Sequence, residues 1–266
     1  MSSLSALRQR IATVATIKKT THAMRLIAMS NHARLRGDLE RLRSYSLDVA
    51  RICSVQSEEM ISNQTEHTLF IIIGSEKGLC GSFNTALFDY CAREIFDGST
   101  QGALFIPVGK QAYEYLQEKK IPIFFRLQGI SVSNFREEAH NLAERIAVEH
   151  PLDRVIFVLN ESKTFFVRTV EAREYYLDFS PLYHRSEVHF EGDVQKLRAY
   201  RERLRLKAFI LQRFGESLIA EQAARFMSMD LSTRNAEALL ERMRLDYNKM
   251  RQALITRELN DLTSAL

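Results

Sequence analysis

Apolar residues at the two ends of this chain recur every three or four positions, whereas in the middle they bunch into short continuous runs. Over the first 59 residues the spacing runs Leu4, Leu7, Ile11, Val14, Ile17, then Met24, Ala28, Leu35, Leu39 and Leu42. That stretch holds no Pro and one Gly, Gly37. Such spacing keeps one side of a helix apolar. It predicts a helix from about Ser3 to about Val55, roughly 80 Å long at 1.5 Å per residue. The stripe is narrow and interrupted by Lys18 and Thr21, so it resembles a coiled-coil seam more than a bundle face. The step of three from Val14 to Ile17 follows another from Ile11 to Val14. That breaks the heptad and predicts local overwinding. Gly37 should cost about 1 kcal/mol relative to Ala, and is expected to mark a bend or a close approach.

The other end mirrors the first. From Glu216 to Leu266 there is neither Gly nor Pro, and Leu239/Leu240, Met243, Tyr247, Met250 and Leu254 step by three and four. A second helix is predicted from near Val194 to about Leu262. Between the two, the pattern alternates. Thr68–Ile73 is a continuous apolar run, as expected of a strand covered on both faces. A loop, Gly74–Gly81, leads to a helical stretch from Asn84 to about Phe96. Ala103–Val108, a helix around 110–119, Pro122–Phe125, a helix around 134–148 and the run Arg154–Leu159 follow. Strands alternating with helices of this length predict an open, mostly parallel sheet. Thr164–Val170 lies only four residues behind the last run, too close for a crossover, so it is read as the second arm of a hairpin. The chain thus divides into a helix over 1–59, an inserted α/β domain over 60–193 and a helix over 194–266. Two long helices leaving one body can pair antiparallel.

Charge adds to this picture. The net charge of +4 conceals +7 over residues 1–52, +5 over 195–266 and −8 between them. Basic terminal helices point to a polyanionic partner, either nucleic acid or acidic protein surfaces. Arg34, Arg36, Arg41 and Arg43, with Arg198, Arg201, Arg203 and Arg205, have no interleaved aromatics of the kind a nucleic-acid stacking platform needs. A solvated helix face accounts for them, although a coiled-coil scaffold or a nucleic-acid-binding rod stays open at this point. No run approaches eighteen apolar residues, so no direct membrane insertion is expected.

Catalytic chemistry is not legible. Cys53, Cys80 and Cys91 form no CxxC and have no histidine at metal-ligand spacing, which fits thiols acting as small apolar residues. No two of the seven histidines stand at i, i+4, and His22 and His32 are expected on helix surfaces. Gly74–Gly81 follows a strand and opens a helix, where phosphate loops sit, but Lys77 precedes Gly78 and the phosphate-loop order is reversed. A tight turn with glycines for close packing is the reading it favours. No catalytic site, cofactor or metal is expected.

Two segments of the last helix carry more. Glu221-Gln-Ala-Ala-Arg225 and Tyr247-Asn-Lys-Met-Arg-Gln-Ala-Leu-Ile-Thr-Arg-Glu-Leu259 resemble, in order and position, the C-terminal end of the gamma subunits of F-type ATP synthases. Ile11-Ala-Thr-Val14 and Thr21-His-Ala-Met-Arg-Leu-Ile-Ala28 resemble that family's N-terminal segments, and Gly78-Leu-Cys-Gly81 its turn after the first strand. Ser82 replaces a second glycine there, and Met250 replaces an alanine. The resemblance implies an α/β fold: a long antiparallel N-/C-terminal helical coiled coil with an inserted Rossmann-like α/β domain. It implies a non-catalytic rotor subunit of the central stalk, coupling ion flow to ATP synthesis or hydrolysis. Its partners would be three α and three β subunits, ε and the membrane c-ring, on the cytoplasmic face of the bacterial inner membrane. Met24, Arg225, Arg251, Gln252, Thr256 and Glu258 match positions contacting α/β loops. Phe190 and Glu191 match an aromatic-Glu pair near ε and the rotor ring.

Overall fold

The computed structural model describes residues 2–53, 68–96, 102–148, 152–177 and 193–263. The breaker-free ends form two helices, α1 (Ser2–Cys53) and α5 (Val194–Thr263), of 52 and 70 residues. Between them come β1 (Thr68–Ile73), α2 (Phe83–Tyr90), a π-helical turn (Cys91–Ile95), β2 (Leu104–Val108), α3 (Lys110–Glu118), α4 (Phe135–Val148), β3 (Arg154–Ser162) and β4 (Arg168–Tyr176). The chain falls into two compact units. Unit 1 is Met1–Met29 with Arg225–Leu266, and unit 2 is Ser30–Ala224.

Unit 2 is built on a four-stranded sheet in the order β2-β1-β3-β4. β1 pairs parallel with β2 and β3, Ile71 standing beside Ile106 and Phe157, and β4 runs antiparallel to β3. Alternate residues of each strand point to opposite faces, and both faces are covered. Leu69, Ile71, Val155 and Phe157 pack with Leu142 and Ile146 of α4, Leu35 of α1 and Ile210 and Phe214 of α5. Ile72, Phe105, Ile156 and Val158 pack with Leu87 of α2 and Leu116 of α3. This two-sided burial explains why the parallel strands read as unbroken apolar runs. Gly109 takes a φ of +86°, and a Cβ there would lie 2.8 Å from the Gly74 carbonyl oxygen, so the β1 and β2 ends meet through backbone alone.

Burial along α1 corrects the predicted stripe. Inward positions run Leu4, Leu7, Ile11, Val14, Lys18, Thr21, Arg25, Ala28, His32, Leu35, Leu39, Leu42, Ser46, Val49 and Cys53. The steps of three and four alternate without a break, so no overwinding is required. Ile17 is 49% exposed, and Lys18 takes the seam position beside it. On α5, Met229, Thr233, Ala236, Leu240, Met243, Tyr247, Met250 and Leu254 turn inward on the same rule, while Leu239 is exposed.

Other expectations also change. Gly37 lies inside continuous helix, and a Cβ added there meets nothing within 4 Å, so it marks neither a break in α1 nor a close approach. Gly37→Ala should therefore stabilise the chain by about 0.5–1 kcal/mol, read as a raised thermal midpoint. His32 is buried, its ring edge-on to Phe165 at 4.7 Å, and burial followed by the nearby Arg36 lowers its pKa. The hairpin exists, but its second arm begins at Arg168. Lys163 and Thr164 donate backbone N–H groups to Val167 O, so Thr164–Val167 is the turn. Pro122–Phe125 contributes only an isolated bridge from Ile123 to Phe105.

Candidate functional site

Unit 1 is an antiparallel pair of helices. Lys18 Nζ reaches Glu237 Oε1 at 2.5 Å, and seven residues further along α1 Arg25 reaches Asp230 at 2.6 Å, seven residues earlier on α5. Between them the Thr21 and Thr233 hydroxyls lie 2.9 Å apart. Asp230 also pairs with Arg234 at 2.8 Å, and Arg25 lies 3.1 Å from His22 Nδ1.

These pairs fix the acid response of unit 1. The Arg25 hydrogen bond, against a smaller opposing effect of burial, holds the Asp230 carboxyl below its ordinary 3.8. The Lys18 hydrogen bond holds Glu237 below its ordinary 4.5. A depressed folded pKa gives stability that is present above the unfolded value and is lost as pH falls through the folded one. Pairing in unit 1 should therefore be constant from neutral pH to about pH 5 and weaken below about pH 4. Distances between spin labels on α1 and α5 check this. In unit 2 the sign is opposite at Glu216. Burial raises its pKa despite Arg213 at 2.7 Å, so its contribution is lost as pH rises through the folded value.

The residues matched by the resemblance separate into patches. Arg251, Gln252, Thr256 and Glu258 are all exposed on the last turns of α5. The Thr256 hydroxyl donates to the Gln252 carbonyl oxygen at 3.0 Å, so its proton is spent inside the helix. Met24 and Arg225 are half-buried and stand at the opposite end of unit 1, about 39 Å from Arg251 along α5. Phe190 and Glu191 lie outside the described residues. In the sequence Lys18 and Thr21 read as interruptions of the stripe and Arg25 carries no signal, although each follows the three-four spacing that starts at Leu4.

The remaining resemblance residues do structural work in unit 2. Glu221, Gln222, Ala223 and Ala224 are buried. Ala220 and Ala224 form the floor on which Cys80 and Phe83 sit. Asn160 donates from Nδ2 to the Phe83 carbonyl oxygen at 3.0 Å, and Asn84 donates from Nδ2 to Ser75 Oγ at 2.7 Å and to Cys80 Sγ at 3.4 Å. The Gly74–Gly81 turn is thus seated on α5. Gly78 itself has open space around it, and Leu79 is 62% exposed with a φ of +64°. The thiols of Cys53, Cys80 and Cys91 are buried, and burial pushes that of Cys91 up to about 12. No helix among the described residues is long and apolar enough to cross a membrane.

A family model described as ATP synthase matches residues 3–266. The ATP synthase gamma chain of Chlorobium luteolum is 30% identical over 98% of this chain and 97% of its own. That of Clostridium acetobutylicum is 28% identical over 96% and 94%. Among solved structures, a chain of the Euglena gracilis mitochondrial ATP synthase, in an assembly of OSCP, F1 and c-ring, superposes with a TM-score of 0.69 at 17% identity, covering 99% of this chain and 93% of that one. A chain of the Tetrahymena thermophila central stalk and c-ring gives 0.64 at 21% identity, over 79% and 98%.

Proposed function

This chain belongs to the family of ATP synthase gamma chains, the rotor subunits of the central stalk, and on that premise we propose how it works. It carries no active site of its own. It stands within a ring of three α and three β subunits, and with ε it rests on the membrane c-ring at the cytoplasmic face of the bacterial inner membrane. Turning it changes the nucleotide affinity of each β subunit in sequence, so that ion flow and ATP synthesis or hydrolysis are linked.

The family match over residues 3–266 carries this reading. Physical features support it. The +7 and +5 charge of the terminal helices suits partners with acidic loops. Arg251, Gln252, Thr256 and Glu258 are exposed where the resemblance assigns contact with α/β loops, and Met24 and Arg225 serve a second contact level. Phe190 and Glu191 are proposed to face ε and the c-ring. The segments 1–59 and 194–266 then act as the shaft and 60–193 as its foot.

The crevice beyond the carboxyl ends of β1 and β2 is filled, which leaves no room for a nucleotide there. Beside Gly74 and Gly109 it has a volume of only about 10 Å³ and is lined by Phe214, Ser217 and Glu221 of α5. Small-molecule sites occupy about 300–1,000 Å³.

Co-expression with the α and β subunits of the same organism, followed by an ATPase assay, tests the proposal. The complex should hydrolyse ATP, and the isolated chain should neither hydrolyse it nor bind it tightly. Tight ATP binding by the free chain, or failure to co-purify with α and β, would overturn it.

A further inference from the structure

The middle of the unit 1 seam is polar. Among the described residues no cluster of buried apolar side chains falls in this unit. Its buried apolar residues are Ala28, Met229, Ala236, Leu240 and Met243, two of them alanines. At three successive seam positions α1 offers Lys18, Thr21 and Arg25, and α5 answers with Glu237, Thr233 and Asp230.

An apolar heptad seam looks nearly the same after a slip of seven residues, and polar seam residues are what distinguish one alignment from another. Here the distinction is asymmetric. Sliding α5 one heptad in one sense sets Lys18 against Arg244, puts Thr21 opposite Leu240 and retains only an Arg25–Glu237 pair. Sliding it the other way retains only Lys18–Asp230. The observed alignment alone pairs both cations, and it sets the two hydroxyls, each already within reach of a carbonyl of its own helix, 2.9 Å apart.

We propose that these six residues form a register clasp, which admits one alignment of the two helices of unit 1. Its value is specificity more than strength. The Glu237 side chain is 63% exposed, and ion pairs at such positions hold helices together only weakly. The clasp belongs to the chain itself and stands whether or not the rotor reading does.

Disulfide formation in the full chain tests it, since the native thiols are buried. Ala15→Cys with Leu240→Cys reads the observed alignment, both positions lining one groove of unit 1. Ala15→Cys with Tyr247→Cys reads the one-heptad slip. Lys18→Glu sets like charges together in the observed alignment but faces Arg244 in the slipped one. The first cross-link should fall at least about fivefold and the second should rise. Adding Glu237→Lys should restore the first. An unchanged first cross-link in Lys18→Glu, a loss of both products, or a failure of the charge swap to restore the original pattern would each overturn the clasp.

Discussion

Replacing Phe83 by alanine should lower the unfolding free energy of the free chain by about 3–5 kcal/mol. Phe83 is fully buried, and it fills the contact between the Gly74–Gly81 turn and α5, packed with Cys80, Ala220 and Ala224. Those neighbours are small, and α5 is a continuous helix there, so the site cannot collapse onto the void. The cost then includes the cavity as well as the lost transfer free energy. The Asn160 hydrogen bond to the Phe83 carbonyl oxygen survives, because it uses backbone. The loss is therefore one of packing. Denaturant unfolding followed by circular dichroism should show a lower midpoint with an unchanged slope. A loss under about 1 kcal/mol would mean that the turn is not seated on α5 in the way described.

The second large effect concerns the assembled complex. Arg251 and Gln252 are adjacent on α5 and both exposed, so their side chains point about 100° apart. In the proposed rotor they would reach two neighbouring α/β loops, or two parts of one loop, and hold the shaft at one angle until a β site changes state. A charge-assisted bond from Arg251 to a carboxylate would contribute roughly 1.5–3 kcal/mol. Losing 1.4 kcal/mol of that bias changes a rate about tenfold. Arg251→Ala with Gln252→Ala should thus lower coupled ATP synthesis about tenfold. The free chain should keep its helix content, because alanine is the better helix former and neither side chain is buried. A double variant that assembles normally and makes ATP at the wild-type rate would remove both residues from the contact.

The parts of the fold legible in the sequence were those with one dominant physical signal. α1 and α5 could be bounded to within two residues because nothing inside them breaks a helix. β1, β2 and β3 were visible as apolar runs because the sheet is covered on both faces. β4 was misplaced because Phe165, Phe166 and Val167 look like a strand. In fact Phe165 packs on His32 and Phe166 is 71% exposed, while the true arm, an edge strand, is half charged.

The seam was misread for a related reason. Ile17 and Met24 are more apolar than Lys18 and Arg25, so hydropathy outweighs the three-four spacing that puts the cations inward, and α1 alone does not show what those cations pair with. That information sits some two hundred residues away, in Glu237 and Asp230. Glu221–Ala224 illustrates the converse. It marks the family in the sequence, yet its role here is to receive Cys80 and Phe83, and only Arg225 at its end is half-exposed.

As a rotor subunit the chain should turn within its complex. The direct measurement is single-molecule rotation of the complex with its cognate α and β subunits fixed to a surface. A bead is attached through a cysteine introduced at exposed Leu79 of unit 2, and ATP is then supplied. Rotation should be stepwise and in one direction, three steps to the turn, as the three β sites fire in sequence. ATP hydrolysis by the intact complex with the bead stationary would contradict it.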